Sequence, residues 1–423
     1  MNIAGVNIAV IGQGYVGLPL AVAFSSHYPT VGFDINQSRV QQLKNNSDTT
    51  LEVSSSALAL AQKQGLQFSK NVDDLSNCNC YVVTVPTPVD NNNSPDLGPL
   101  KAATKTLCQV LKKGDVVVYE STVYPGATEN ICGQLIETLT GFKLNTDFFL
   151  GYSPERINPG DKVHTLTNIT KVISGSDQQT ATFLQKLYNR IIKAGTHLAP
   201  TIKVAEAAKA IENTQRDVNI AFMNELLMMF HKMDIDVLDV IDTAATKWNF
   251  LKFTPGLVGG HCIGIDPYYL IHQSQQSGHF PELIATARRI NEEMPNYVTS
   301  RILKLMALNK KHIVEAKILV LGLTFKENCP DLRNTRVADI VHELQALHAE
   351  VDVHDAWADD DESQSHLGIP LIEDLPKAHY DMVVLAVAHQ QYINDQVRDY
   401  LKADGLLVDL KGALPKSFVD ERL

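Results

Sequence analysis

The sequence predicts an α/β protein built from two doubly wound units joined by a central helical stretch. Three observations carry this expectation. A glycine-rich turn follows a short apolar run near the N-terminus, and a second series of strand-then-helix patterns begins near residue 316. Between them, roughly thirty residues keep a helical apolar period without Pro or Gly. A chain of 423 residues holds two or three domains, each able to bury its own core. With 44% hydrophobic and 20% charged residues the composition is that of a globular protein. A formal net charge of −11 argues against a nucleic-acid partner, which selects a basic face. It leaves phosphate esters open, because backbone amides and a few local cations bind those.

Asn7 to Ile11 is an apolar run ending in Gly12-Gln13-Gly14-Tyr15-Val16-Gly17. A helical stretch follows through Leu20, Val22 and Phe24, and Thr30 to Asp34 reads as a second strand closing on an acid. This is a βαβ dinucleotide fingerprint, so the first unit is expected to be Rossmann-like. Gly12 permits the tight turn, Gly14 lets a pyrophosphate approach the backbone, and Gly17 lets the helix pack closely on the sheet. Tyr15 and Val16 belong to the same turn. Asp34 lies 20 residues past Gly14, where a carboxylate accepts both ribose hydroxyls and repels a 2′-phosphate, so NAD is expected over NADP. Arg39 either stacks on adenine or stands solvated on its helix.

Tyr81 to Val85 is the next strand, running through Thr84 into the stiff Pro86-Thr87-Pro88 loop. Open α/β sheets bind ligands at such carboxyl ends, which makes Thr84 and Thr87 cofactor candidates. Asp115 to Glu120 is another strand, ending in Ser121-Thr122-Val123-Tyr124-Pro125-Gly126. Thr122 there would meet nicotinamide or an ordered water, or else cap a helix. Phe148 to Tyr152 leads into Ser153-Pro154-Glu155-Arg156, where a Glu–Arg pair is usually a surface pair unless it points into the same cleft.

From Thr201 to about Met233, Val204, Ala207, Ala208, Ile211, Val218, Phe222, Leu226 and Met229 recur at helical spacing. This predicts a long helix that is both a spine and an oligomer contact. Lys209 and Asn213 stand four apart on one face of it, with Arg216 close by. The loop Gly259-Gly260-His261-Cys262-Ile263-Gly264-Ile265-Asp266 sets a cysteine among glycines that allow close backbone approach. By itself that is weak, since most free cysteines are small buried apolar residues. The six cysteines (78, 80, 108, 132, 262 and 329) are too scattered for a disulfide scaffold. Cys78 and Cys80 have no second pair at zinc spacing, so no metal is expected.

Ala316 to Gly322, Ala349 to Asp355, Asp381 to Val387 and Gly405 to Asp409 read as strands of the second unit, with Val337 to Leu347 a helix. This half lacks the full glycine fingerprint. Its first loop carries Lys326, Arg333 and Arg336, which meet a phosphate or are solvated. The acidic run Asp359 to Glu362 is expected to be surface loop. The apolar stretch from Ile8 to Phe24 is short for a membrane span and is broken by Gln13 and three glycines. With no basic leader at the N-terminus, a cytoplasmic protein is expected.

An NAD site beside a glycine-flanked cysteine has a chemical logic. Oxidising an alcohol to a carbonyl needs no thiol. Oxidising the resulting aldehyde further does, through a hemithioacetal and a thioester. At this point the sequence resembles the UDP-glucose/GDP-mannose dehydrogenase family from residue 6 to 415. The resemblance rests on Gly12-x-Gly14-x-x-Gly17, Val85-Pro86-Thr87-Pro88, Ser121-Thr122-Val123-x-Pro125-Gly126, Ser153-Pro154-Glu155-Arg156, Lys209 with Asn213, Gly259-Gly260-His261-Cys262 and Gly322-Leu323-Thr324-Phe325-Lys326.

The resemblance implies an NAD-binding domain over 1–198, a central helical domain over 199–300, and a Rossmann-like UDP-sugar domain over 301–423. It implies Cys262 as nucleophile, Lys209 and Asn213 at the C6 oxygen, Asp266 and Thr122 at a water, and Glu155 in thioester hydrolysis. Arg156, Arg216, Phe250, Lys252, Gly259, Lys326 and Arg333 become candidates for the nucleotide sugar. Ile265 stands where UDP-glucose enzymes commonly carry lysine, and Asn158-Pro159-Gly160 occupies the region of a second glutamate. Those departures, with Trp248-Asn249-Phe250-Leu251, resemble the branch acting on UDP-N-acetylhexosamines. The expectation is therefore an NAD-dependent 6-dehydrogenase of UDP-N-acetylglucosamine serving a bacterial surface polysaccharide, as a homodimer through the central helices. Its N-acetylgalactosamine or N-acetylmannosamine counterpart is the alternative. A non-catalytic nucleotide sensor is a remoter reading. A two-electron hydroxyacid dehydrogenase would explain neither the second unit nor the cysteine loop.

Overall fold

The computed structural model describes residues 3, 5–90, 92–157 and 165–423. Two compact units emerge, one of residues up to 212 with 268–279, the other of 213–267 with 280–423.

The first unit is organised by an eight-stranded sheet: β1 (Ile8–Ile11), β2 (Thr30–Phe33), β3 (Gln67–Ser69), β4 (Cys80–Val83), β5 (Val116–Tyr119), β6 (Phe149–Tyr152), β7 (Lys171–Gly175) and β8 (Thr196–Leu198), in the order 3-2-1-4-5-6-7-8. Pairing is parallel except between β6 and β7. The central strands are apolar without alternation and wholly buried, as expected where both faces of a sheet are covered. Ile8, Val10, Leu18, Phe24, Val82, Val118, Leu184 and Tyr188 share its core. Winding reverses at β1, where Ile11 registers with Phe33 on one side and Val83 on the other. Gly12, Asp34 and Thr84 therefore emerge side by side at one carboxyl edge. The strand expected to reach Val85 stops at Val83, so Thr84 already belongs to that edge.

The second unit carries a parallel sheet of β9 (Lys317–Leu321), β10 (Glu350–His354), β11 (Tyr380–Leu385), β12 (Leu401–Asp409) and β13 (Glu421–Arg422), ordered 10-9-11-12-13. Ile318, Val320, Ile340, Met382 and Val408 pack with Met223, Leu227, Val298 and Ile302 of neighbouring helices. The acidic run expected as a loop is instead a helix, Asp360–Leu367. Asp359 caps it by accepting the Glu362 N–H at 2.9 Å, and the acidic first turn suits the positive end of the helix. Apolar periodicity could not reveal a helix held this way.

The long helix is Ile202–His231, close to its expected limits. Its apolar residues divide into two stripes. Ala205, Ala210, Ala221, Met223 and Leu227 are buried, whereas Val204, Ile211, Phe222 and Met229 are roughly half exposed, at 47, 55, 52 and 45%.

Candidate active site

In the first unit the glycine turn is built for a ligand. Gly12 adopts φ +95°, and a Cβ on Gly17 would lie 1.8 Å from the Gly12 carbonyl, so turn and helix need both glycines. Gly14 differs. A Cβ there would meet no protein atom within 4 Å, so its missing side chain leaves room for something outside the chain. Helix Gly17–Ser25 begins at the turn with no side-chain cap, so the positive end of its dipole faces the turn. Asp34 is oriented by the N–H groups of Gln13 and Asn36, each 2.8 Å away on separate oxygens. Each oxygen keeps further acceptor capacity. Tyr15 and Val16 are half-buried in the turn. These residues fit a dinucleotide.

Two other cofactor candidates are braces. Thr84 donates its hydroxyl to Gly12 O at 2.9 Å and Ile11 O at 3.0 Å. Arg39 is buried rather than solvated: its Nε donates to Gln13 O at 2.9 Å and its guanidinium pairs with Asp48 at 2.8 Å. Against the cost of burial, hydrogen bonds from Thr50, Val53 and Arg39 hold the Asp48 carboxyl below its ordinary range. Thr87 Oγ1 donates to Thr122 O at 2.7 Å and ties the two ligand-edge loops together. Thr122 caps no helix, since the next helical segment starts at Thr128.

The Glu155–Arg156 pair divides. Arg156 is exposed and bonds Glu212 at 2.8 Å, while Glu155 is buried. Its Oε1 accepts the N–H groups of Arg156 and Ile157, at 2.6 and 2.7 Å, and its Oε2 faces Lys171 Nζ at 3.3 Å. The neighbouring Asn158-Pro159-Gly160 lies outside the described residues. Lys209 is buried one turn before Asn213 on the long helix. A buried acid on the same helix, Glu206, accepts the N–H groups of Gly126 and Thr128 at 2.5 and 2.9 Å, and burial pushes its carboxyl up to about 7.

In the second unit Cys262 is half-buried with His261 Nδ1 3.3 Å from its sulfur. Its carbonyl accepts the Asp266 N–H at 2.9 Å, which turns the chain into helix Asp266–Gln276. Asp266 is itself buried and accepts Asn213 Nδ2 at 2.5 Å. Burial pushes the thiols of Cys78, Cys80, Cys108 and Cys132 up to about 11, 12, 11 and 11. Those four are packing residues, whereas Cys262 sits in a turn beside an imidazole. The glycines before it permit close packing: a Cβ on Gly260 would lie 2.8 Å from the Phe325 ring, and one on Gly259 2.8 Å from Asn334 O. The cysteine loop thus rests on the loop after β9.

A small cavity opens there, lined by Gly259, Phe325, Glu327, Arg336, Val387 and Lys411 among others. Lys411 escaped the sequence reading. Its position directly after β12, at a carboxyl edge, was the signal available. Arg336 is spoken for in part, donating to Glu292 O at 3.1 Å, and Arg333 is paired with Asp331 at 2.5 Å. Lys326 follows Phe325 in that loop, its carbonyl accepting the Thr324 hydroxyl at 3.1 Å. Three further candidates are not among the residues that line the cavity. Lys252 is exposed and bonded to Asp242 at 2.6 Å, Phe250 packs on the core, and Arg216 is exposed on the long helix.

Comparison with known proteins agrees with this layout. Residues 6–192 match the NAD binding domain of the UDP-glucose/GDP-mannose dehydrogenase family, 203–293 its central domain, and 319–416 its UDP binding domain. The chain is 51% identical over 419 residues to the UDP-N-acetyl-D-glucosamine 6-dehydrogenase of Pseudomonas aeruginosa, covering 98% of this chain and 99% of that one. Identity to the enzyme of the same name from Salmonella typhi is 49% over 421 residues, 99% of each. Among solved structures, the UDP-D-ManNAc dehydrogenase of Pyrococcus horikoshii matches with a TM-score of 0.90 at 30% identity, over 98% of both chains.

Proposed function

This chain belongs to the UDP-glucose/GDP-mannose dehydrogenase family, and we propose that within it the protein is an NAD-dependent UDP-N-acetylglucosamine 6-dehydrogenase. The observation that carries the sugar is identity of 51 and 49% over essentially the whole chain to two enzymes of that name, against 35% over 359 residues to an N-acetylmannosamine enzyme. Three consecutive family matches support a three-domain division at 1–198, 199–300 and 301–423.

Gly12, Gly14, Gly17 and Asp34 would hold NAD, which supplies a hydride acceptor when bound. Cys262 attacks the C6 aldehyde as thiolate and holds that carbon first as a thiohemiacetal, then as a thioester. Lys209 and Asn213, one turn apart, stabilise the charge that develops on the C6 oxygen. Thr122 and Asp266 are each assigned to hold the water that takes the first proton. In the last step Glu155 takes a proton from water as the new C–O bond forms, the C–S bond breaks, and sulfur leaves as thiolate. The uronic acid formed would feed a surface polysaccharide.

The test is to supply UDP-N-acetylglucosamine, -galactosamine and -mannosamine separately and count NADH per sugar. Two NADH per UDP-N-acetylglucosamine, with the highest kcat/KM of the three, is expected. A single NADH with accumulating aldehyde would defeat the two-step chemistry. A higher kcat/KM for another sugar would reassign the substrate.

We also propose a homodimer through the half-exposed stripe Val204, Ile211, Phe222 and Met229, because water-facing apolar rows of this kind mark contact surfaces. Phe222→Asp should convert the dimer to monomer by sedimentation. A wild-type monomer, or a dimer unmoved by the change, would reject this interface. No helix among the described residues is long and apolar enough to cross a membrane, and a cytoplasmic location is part of this proposal.

A further inference from the structure

Behind Glu155 lies a buried charged cluster. Glu120 directly follows β5, Lys171 opens β7, and Tyr188 closes helix Gln178–Tyr188. Because β7 runs antiparallel to β6, with Tyr152 opposite Ser174, the start of β7 returns alongside residues 154 and 155. Lys171 Nζ then donates to Glu120 Oε2 at 2.7 Å, to Pro154 O at 3.1 Å and to Glu155 Oε2 at 3.3 Å, which uses all three of its protons. The Tyr188 hydroxyl donates to the other Glu120 oxygen. Side-chain exposure is 2% for Lys171, 0% for Glu120 and 9% for Glu155. A plain structural ion pair would match one cation with one anion. Here two carboxylates share a single ammonium, and one of the two belongs to the reaction.

We propose that Lys171 and Glu120 are positioning residues for Glu155, a buried chain from Tyr188 through Glu120 and Lys171 that fixes where the Glu155 carboxylate points and the charge it carries during thioester cleavage. This rests on the reading of Glu155 as the group that assists hydrolysis. The electrostatics agree with the geometry. Burial pushes the Glu120 carboxyl above its ordinary range, with Lys171 opposing and Glu155 adding to the shift. Burial also works against the Lys171 ammonium, yet its two carboxylates outweigh that and hold it above the ordinary lysine range. Tyr188, raised by burial and then by Glu120, stays a donor, with Cys80 of β4 behind it. From Lys171 the charge passes to the one oxygen of Glu155 that the backbone does not claim.

The variants move the charge in opposite senses. Lys171→Met leaves two carboxylates facing each other without a cation, so proton uptake shifts to higher pH. Glu120→Gln leaves one carboxylate with one ammonium, so it shifts to lower pH. The full-length enzyme is mixed with NAD and UDP-sugar in a single turnover, and the Cys262 acyl adduct is followed by intact mass across pH. Glu155→Gln should slow adduct loss about 100-fold. The acidic limb of the adduct-loss profile should move up in Lys171→Met and down in Glu120→Gln, each by about one pH unit or more. In Glu155→Gln backgrounds neither second change should slow cleavage further. A purely packing role would lower stability without opposite pH shifts.

If Lys171→Met does not fold, the nearly isosteric Glu120→Gln alone decides by the direction of its shift. An unmoved limb in folded variants, with Glu155→Gln still slow, overturns the proposal and leaves the Glu155 reading standing. Unchanged adduct loss in Glu155→Gln overturns both together.

Discussion

The two α/β units place an acid at the same point and use it in opposite ways. In each, the second strand of the motif ends at an aspartate, Asp34 after β2 and Asp355 after β10, beside a glycine of positive φ that follows the first strand, Gly12 at +95° and Gly322 at +92°. Asp34 is half-buried and accepts two backbone N–H groups. Asp355 is buried and saturated. One oxygen takes the N–H groups of Leu323 and Thr324 with His389 Nε2, at 2.6, 2.9 and 3.0 Å, and the other takes those of Trp357 and Ala358. His389 Nδ1 accepts the Asn328 N–H at 2.9 Å, which places the ring proton on Nε2, toward Asp355. Against the cost of burial, the His389 hydrogen bond and those backbone donors hold the Asp355 carboxyl well below the ordinary range. The first acid keeps acceptor capacity at the carboxyl edge of its sheet. The second has been turned inward to fix the loop that carries Phe325 and Lys326. Topology alone therefore does not say where a ligand binds; the spare lone pairs do.

Two pairs of substitutions would break or sharpen that contrast. The largest effect is expected at Asp355→Asn, which should destabilise the second unit by about 3–5 kcal/mol in urea melts followed by circular dichroism, by stranding buried partners. Asp34→Asn should barely move the melt and instead raise the KM for NAD about tenfold. Equal destabilisation at both positions would erase the difference. Because the Asp355 carboxyl is depressed, its contribution is present above the unfolded carboxylate range and is lost only as pH falls through its lower folded value. The wild-type advantage over Asp355→Asn should therefore persist through mildly acidic pH.

Next in size is Gly322→Ala, where a Cβ would meet Val387 Cβ at 2.5 Å in a left-handed backbone. A loss of about 2–4 kcal/mol is expected there. Smallest is Gly14→Ala. With no protein atom near the added carbon, it should cost stability almost nothing and weaken NAD binding. A large stability loss at Gly14 would mean that the space belongs to the fold and not to a ligand.

What could be read from the sequence was what is local. The glycine turn, its acid and the cysteine loop are contiguous or set at fixed spacing, and the long helix announces itself by thirty residues of period. The helix at Asp360–Leu367 was missed because a cap and charges at its first turn define it, not an apolar face. Arg39 read equally well as a solvated helix residue because nothing nearby in sequence shows that Asp48 folds back to meet it. Lys171 was invisible for the same reason. Its partners come from the ends of other strands and meet only through the antiparallel turn of β7. A lysine opening an otherwise apolar strand, with a glutamate closing another, was the one available hint.

The chain holds two tryptophans, Trp248, 92% exposed, and Trp357, stacked 6.5 Å from His389 and bonded through its backbone N–H to Asp355. Both belong to the second unit. Intrinsic fluorescence is consequently a one-sided instrument for this molecule. Its emission will track the sugar-nucleotide half and stay dark to unfolding of the dinucleotide half. Trp357, packed beside an imidazole, is a natural candidate for quenching that lifts when the Asp355 cluster opens.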